Sequence, residues 1–195
     1  MICNGMNNPI PTIHARTVSL VPLRPDHAAV LHRIYQTEDV LRYFPTTTPP
    51  SMEQIQRFLR NQQEHWEKFG YGHWGILPDG EQEIIGWAGL QFLPELEETE
   101  VGYLLDRPFW RKGYGTGAAI AALRFGFDHF DFSHLIALVH PENRASRHVI
   151  EKCGMTYQET VHLWGIDLMR YVFPREDFYS PPLSEPAVQT VEAKE

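Results

Sequence analysis

Apolar and polar residues change period several times along this chain. Arg16-Thr17-Val18-Ser19-Leu20-Val21-Pro22-Leu23 alternates and predicts a first strand. After Arg24-Pro25 the period becomes helical. Asp26 is placed to cap a helix running to about Gln36, with Ala29, Leu31 and Ile34 on its apolar side. Residues 38–44 predict a second short helix or turn, ended by Pro45. Ser51 and Gln54 have capping-box spacing, and Ile55, Phe58, Leu59, Gln62 and Trp66 follow at helical intervals until Gly70.

Strand-like runs then dominate. Residues 71–77 and 84–92 flank the turn Pro78-Asp79-Gly80 and predict a hairpin, in which Gly86 and Gly89 mark close packing. Residues 94–98 form an acidic loop, and 100–105 another strand. A helix over 116–130, a wholly apolar and therefore buried strand over 135–139, and a helix over 142–153 stopped by Gly154 come next. Residues 155–160 and 167–173 are the last two strands. Residues 1–15 lack periodicity and read as a flexible or an edge-lying arm. Residues 180–195, with three prolines and several charges, read as a disordered tail, leaving one domain over 16–179.

Composition changes this picture little. A hydrophobic content of 43% and a charged content of 22% are ordinary for a globular domain. The formal net charge of -8 argues against a general nucleic-acid binder but leaves a local anion site open. Cys3 and Cys153 make no disulfide framework, and no Cys/His spacing predicts a metal site. Without a signal peptide or long apolar run, a cytoplasmic protein with no membrane association is the expectation.

The chemistry concentrates in Trp110-Arg111-Lys112-Gly113-Tyr114-Gly115-Thr116-Gly117-Ala118. Three glycines in five residues lie behind two cations and open an alanine-rich helix. Glycine permits tight turns and close approach to a ligand, and a helix start presents unpaired N–H groups with a partial positive charge. Together they predict a pyrophosphate cradle. A P-loop is excluded because Lys112 precedes the glycines. Gly113, Gly115 and Ala118 formally meet a dinucleotide fingerprint, with Asp131 downstream. However, the preceding strand ends well before Gly113, and Asp131 lies before the next strand rather than at its end. A glycine-rich turn before a core helix is the remaining plain alternative.

The same stretch resembles the Arg/Gln-x-x-Gly-x-Gly/Ala loop of the GNAT acetyltransferases. Trp110 at its first position matches the branch of the ribosomal-protein N-terminal (RimJ/RimL-type) acetyltransferases. Pro141-Glu142-Asn143-Arg144-Ala145-Ser146 followed by Glu151-Lys152-Cys153-Gly154-Met155 resembles a second block of the family. Arg42-Tyr43-Phe44-Pro45 and Glu100-Val101-Gly102-Tyr103 also match this branch. The departures are Trp110 for Arg/Gln, Arg111 for the branch's Gly, Gly115 for Ala and Met155 for Phe. None removes a backbone donor.

The resemblance spans about residues 16–173. It implies an α/β (α+β) GNAT fold, with a mixed, mostly antiparallel sheet of about seven strands. Helices flank the sheet, and a V-shaped splay separates the fourth and fifth strands. The implied activity is acetyl transfer from acetyl-CoA to a primary amine, either a protein N-terminus or a small amine, without a metal or a covalent enzyme intermediate. The backbone of Leu104 and Leu105 would meet the pantetheine arm. Arg111, Lys112, Gly113, Tyr114, Gly115, Thr116 and Gly117 would hold the pyrophosphate.

Asn143 and Ser146 stand three apart at a helix start. They are either helix caps or, as the resemblance implies, a cofactor ligand and the general acid for the leaving thiolate. Glu100 is the candidate general base, or else a surface strand carboxylate. A base matters more for a side-chain amine: freeing a lysine at neutral pH costs about 4.6 kcal/mol, against about 1.4 for an α-amine. Tyr103 belongs either to the core or to the acceptor cleft, and Leu105, Trp74 and Trp87 read as core. The acceptor would enter near Tyr43, Phe44 and Trp164, where Glu95, Glu97 and Glu98 favour a cation. A non-catalytic acyl-CoA-binding sensor is the alternative function. The expected assembly is a monomer or a homodimer.

Overall fold

The computed structural model describes residues 9–179 and 189–191. Nine strands form one sheet: β1 (Thr12–His14), β2 (Val18–Pro22), β3 (His73–Pro78), β4 (Gly86–Leu93), β5 (Glu98–Leu105), β6 (His134–Val139), β7 (Thr156–Leu163), β8 (Ile166–Pro174) and β9 (Gln189–Val191). Their order is β7-β8-β6-β5-β4-β3-β2-β1-β9. All neighbours are antiparallel except β5 and β6. The expected seven strands are all present. The two further ones are three residues each: β1 lies within the expected arm and β9 within the expected tail. Residues 1–8, with Cys3, and residues 180–188 and 192–195 lie outside the described residues.

The helices are α1 (Ala28–Gln36), α2 (Met52–Phe69), α3 (Tyr114–His129), α4 (Arg144–Lys152) and the single turn α5 (Arg175–Phe178). α2 starts as its sequence predicts. Ser51 Oγ accepts from the Gln54 N–H, the Gln54 side chain accepts from the Ser51 N–H, and Gly70 ends the helix at φ 75°. α1 does not start as expected. Residues 25–27 form a 3-10 turn capped at Arg24, and Asp26 bonds the Arg24 guanidinium instead of free helix N–H groups. Proline at the first position of that turn displaces the cap by two residues. Residues 37–44 are turns rather than a second helix.

Alternation along the strands divides the core between two faces. On one, α3 and α4 cover Leu20, Trp74, Leu90, Val101, Leu105, Ala137 and Val139. On the other, α1 and the first half of α2 cover Ile84, Trp87 and Leu104. α3 is the crossover that a parallel β5–β6 pair requires. Its buried Ala118, Ala119, Ala121 and Ala122 let it lie close on the sheet. Gly86 serves the same end on β4: a Cβ there would fall 1.9 Å from the Leu104 carbonyl oxygen of β5.

Candidate active site

β5 pairs with β4 from Gly86↔Leu105 to Leu93↔Glu98, but with β6 it registers only at Glu100↔Ile136. Beyond that pair the two parallel strands separate. The next β6 donor, the Leu138 N–H, is met by the Glu100 carboxylate, Oε1, at 3.2 Å instead of by β5 backbone. A side chain therefore caps the ladder where the gap begins. The backbone groups facing the gap follow from ladder alternation. The Asp106 N–H bonds the Ile85 carbonyl across β4, so the N–H groups of Leu105 and Tyr103 turn away from β4, towards β6. Leu104, between them, pairs with Trp87 and buries its side chain on the α1 face.

The other end of this seam is closed. Glu98, two residues before Glu100 and on the same face, accepts from Arg170 Nε at 2.9 Å and also contacts Arg170 Nη2 and His134 Nε2. One carboxylate thus ties β5 to β6 and β8. Burial works against the Glu98 charge. The Arg170 and His134 hydrogen bonds outweigh it and hold this carboxyl below the usual glutamate range. Glu100 has no such partner. Burial pushes it up to about 7, opposed only by the Leu138 N–H.

The cradle expected at 110–117 lies where β5 leads into α3. Trp110 Nε1 donates to the Leu105 carbonyl at 2.8 Å and fixes the loop against the strand end. Arg111 at φ 62° and Gly113 at φ 84° turn the chain into the helix. The Gly117 N–H closes the first helical bond onto the Gly113 carbonyl, leaving the N–H groups of Tyr114, Gly115 and Thr116 as first-turn donors. A Cβ on Gly113 would meet nothing within 4 Å, so this donor set opens onto space, as an incoming phosphate requires. Gly115 is different: its Cβ would come within 3.1 Å of Tyr103 Cε2 and 3.4 Å of Leu105 Cδ1. Arg111 and Lys112 are exposed at the lip, and Lys112 Nζ lies 5.1 Å over the Phe109 ring.

Across the gap, α4 begins at Asn143, whose Oδ1 accepts from the Ser146 N–H at 3.1 Å. The capping reading of Asn143 is therefore observed, with its side-chain oxygen engaged in the helix start. Ser146 is not the cap. Its Oγ instead receives the Tyr103 hydroxyl at 3.2 Å. Ser146, Tyr103 and Gly115 thus meet on the α3–α4 face, and Glu100 stands on the other.

Residues 17–156 match the model of the acetyltransferase (GNAT) domain. The chain belongs to that family. As a GNAT member it is an acetyl-CoA-dependent N-acetyltransferase. It is 28% identical over 148 residues to the YkkB protein of Bacillus subtilis, covering 75% of this chain and 85% of that protein. It is 27% identical over 161 residues to the FsC-acetyl coenzyme A-N(2)-transacetylase of Aspergillus fumigatus, covering 77% and 67%. Mycobacterium smegmatis RimJ, solved in complex with CoA-disulfide, superposes with a TM-score of 0.71 at 20% identity, covering 87% and 88%, which places the two in one fold.

Of the acidic residues expected to favour a cationic acceptor, Glu98 has a cationic partner and Glu95 keeps its charge. Glu98 is neutralised by Arg170, and Glu95 accepts from Trp164 Nε1 at 3.0 Å. The Tyr43 ring lies 5.3 Å from that of His140, tilted by 35°, bringing the α1–α2 connection to the open end of β6. Arg107 ties the same connection to the loop after β5 through Glu38 and Asp39. Sequence reasoning missed Arg170, His134 and the Tyr103–Ser146 bond, because each joins strands or helices far apart in the chain. Among the described residues, no group of three His, Cys, Asp or Glu side chains could hold a metal ion, and no helix is long and apolar enough to cross a membrane.

Proposed function

We propose that this GNAT enzyme acetylates a primary amine, a protein N-terminus or a small amine, by direct attack within a ternary complex. The observation that carries this reading is Glu100, placed at the mouth of the gap with a carboxyl poised at about 7. Near neutral pH such a group holds or releases a proton at little cost, as a general base must. The first-turn N–H groups of α3 suit the diphosphate of acetyl-CoA, with Arg111 and Lys112 adding charge at the lip. The Tyr103 and Leu105 N–H groups, facing the gap, suit the peptide-like pantetheine arm by strand addition.

Glu100 takes a proton from the ammonium, directly or through one water, and frees the nitrogen lone pair. The new C–N bond forms as the carbonyl electrons move onto oxygen, where a gap-facing backbone N–H of β5 near Leu105 stabilises the charge. Collapse breaks the C–S bond, its electron pair leaves on sulfur, and the Ser146 hydroxyl stabilises the thiolate. The second amine proton ends on that sulfur, giving the amide and free thiol. Alignment of the two substrates supplies much of the rate, up to about 7–11 kcal/mol in well-oriented reactions. The name of the Aspergillus relative, an acetyl coenzyme A-N(2)-transacetylase, supports a nitrogen acceptor.

The test is amine-dependent release of CoA from acetyl-CoA, measured over a panel of peptides with free N-termini, lysine-containing peptides and small amines. One acceptor should give saturable release that Glu100→Gln suppresses. Tight acetyl-CoA binding with no release from any amine would favour the sensor reading instead.

A further inference from the structure

We propose that Tyr103 is a positioning residue that aims the Ser146 hydroxyl at the thioester sulfur and couples it to the phosphate loop. The proposal rests on the reading of Ser146 given above. Three contacts carry it. The Ser146 backbone is fixed because its N–H is held by Asn143 Oδ1 at 3.1 Å. Its Oγ accepts the Tyr103 hydroxyl at 3.2 Å. The Tyr103 ring in turn lies under Gly115, where an added Cβ would come within 3.1 Å of Cε2.

The direction of the middle bond matters most. A tyrosine hydroxyl has one hydrogen, and here it is spent on the Ser146 oxygen. The Ser146 hydrogen then has no acceptor among the described residues, so it remains available to the leaving group. Burial pushes the Tyr103 hydroxyl up to about 12, with its bond to Ser146 opposing. It therefore stays protonated at any working pH and keeps its hydrogen for the serine oxygen. That same rise argues against Tyr103 as the proton source. A thiolate with a pKa near that of a free thiol, about 8.5, would take a proton neither from a group at 12 nor from an alcohol, so Ser146 serves it as a hydrogen-bond donor. Tyr103 thus orients a donor without being consumed.

Tyr103 also explains why Gly115 is buried. The ring fills the space beneath the cradle, so movement of the phosphate loop bears on the serine partner. Seating of the diphosphate and aim of the hydroxyl are linked through one aromatic ring.

The experiment is a double-mutant cycle with Tyr103→Phe, Ser146→Ala and the pair. Each is measured for kcat and for KM of acetyl-CoA across the pH–rate profile. Tyr103→Phe keeps the ring beneath Gly115 and removes only the hydroxyl. It should lower kcat about tenfold, with KM for acetyl-CoA within about twofold and the acidic limb set by Glu100 unmoved. In the Ser146→Ala background the same change should have little further effect, since the group it aims is gone. Tyr103→Leu, which removes the ring, should raise KM as well. Undiminished turnover in Ser146→Ala would overturn the reading of Ser146 itself. A clear loss in Ser146→Ala together with an additive loss from Tyr103→Phe would overturn the Tyr103 proposal alone. So would a Tyr103→Phe defect lying wholly in KM or in thermal stability.

Discussion

The seam between β5 and β6 has a glutamate at each end, and the two behave in opposite ways. Glu98 and Glu100 are two residues apart on one face of one strand. Glu98 meets a guanidinium and an imidazole, keeps its charge and closes the strands together. Glu100 meets one backbone N–H, is drawn towards its neutral form and stands where the strands part. Residue type and strand position are shared, so neither explains the difference. Counter-charge does: Arg170 lies within reach of one carboxylate only. A closed end and an open end on the same seam give a rigid hinge line with a slot above it. A pantetheine arm needs such a slot, because its amides require strand backbone that no other strand already occupies.

Replacing the open-end carboxylate should have the largest effect. Glu100→Gln keeps an acceptor for the Leu138 N–H and removes the titrating group. We expect kcat to fall by about 10²–10⁴, with loss of the acidic limb near pH 7 in the pH–rate profile. Stability should move the other way. Folded Glu100 keeps its proton to about pH 7, and an ordinary glutamate releases it near 4.5. The native state therefore holds the extra proton between those values, and wild-type stability falls as pH rises through that window. Glu100→Gln should remove this slope and be about 2 kcal/mol more stable than wild type above it, as urea denaturation at several pH values would measure. A kcat within a few fold of wild type would remove Glu100 from the mechanism.

Breaking the closed end should cost stability first. Glu98→Ala leaves Arg170, whose side chain is 12% exposed, without its main counter-charge. A loss of about 2 kcal/mol is expected, read as a lower urea midpoint. The sign of the pH dependence here is the reverse of that at Glu100. The lowered carboxyl contributes stability that is present above the ordinary glutamate value and lost as pH falls, so the variant and wild type should converge in acid. A constant difference at all pH values would show that packing, not charge, holds this end.

The smallest effect belongs to the loop that feeds the slot. Trp110→Phe removes the indole donor from the Leu105 carbonyl but keeps an aromatic ring. About 1 kcal/mol is at stake, seen as a rise of up to about fivefold in KM for acetyl-CoA with kcat little changed. An unaltered KM would mean that the loop holds its place without this bond.

Much of this architecture was legible in the sequence. Ser51 and Gln54 announced the start of α2, and Gly70 its end, because capping is a transaction between residues three or four apart. The glycines at 113–117 marked the turn into α3 for the same reason: turn conformation and first-turn donors are properties of a short segment. Where a contact crossed the sheet, the sequence was silent. Asp26 looked like a helix cap until Pro25 and Arg24 imposed a different first turn. Glu98 looked like part of a lure for cations until Arg170 engaged it.

By itself, then, the chain's order of residues determined the elements, the family and the glycine turn into α3, since each rests on short-range periodicity and local backbone chemistry. Only the tertiary structure decided which glutamate is held charged and which is poised near neutrality, and that Tyr103 turns towards Ser146. Those outcomes depend on burial and on partners brought close by the fold from 38 to 72 residues away. The electrostatic energy of a carboxylate follows its distance to counter-charge and water, which separation along the chain does not encode.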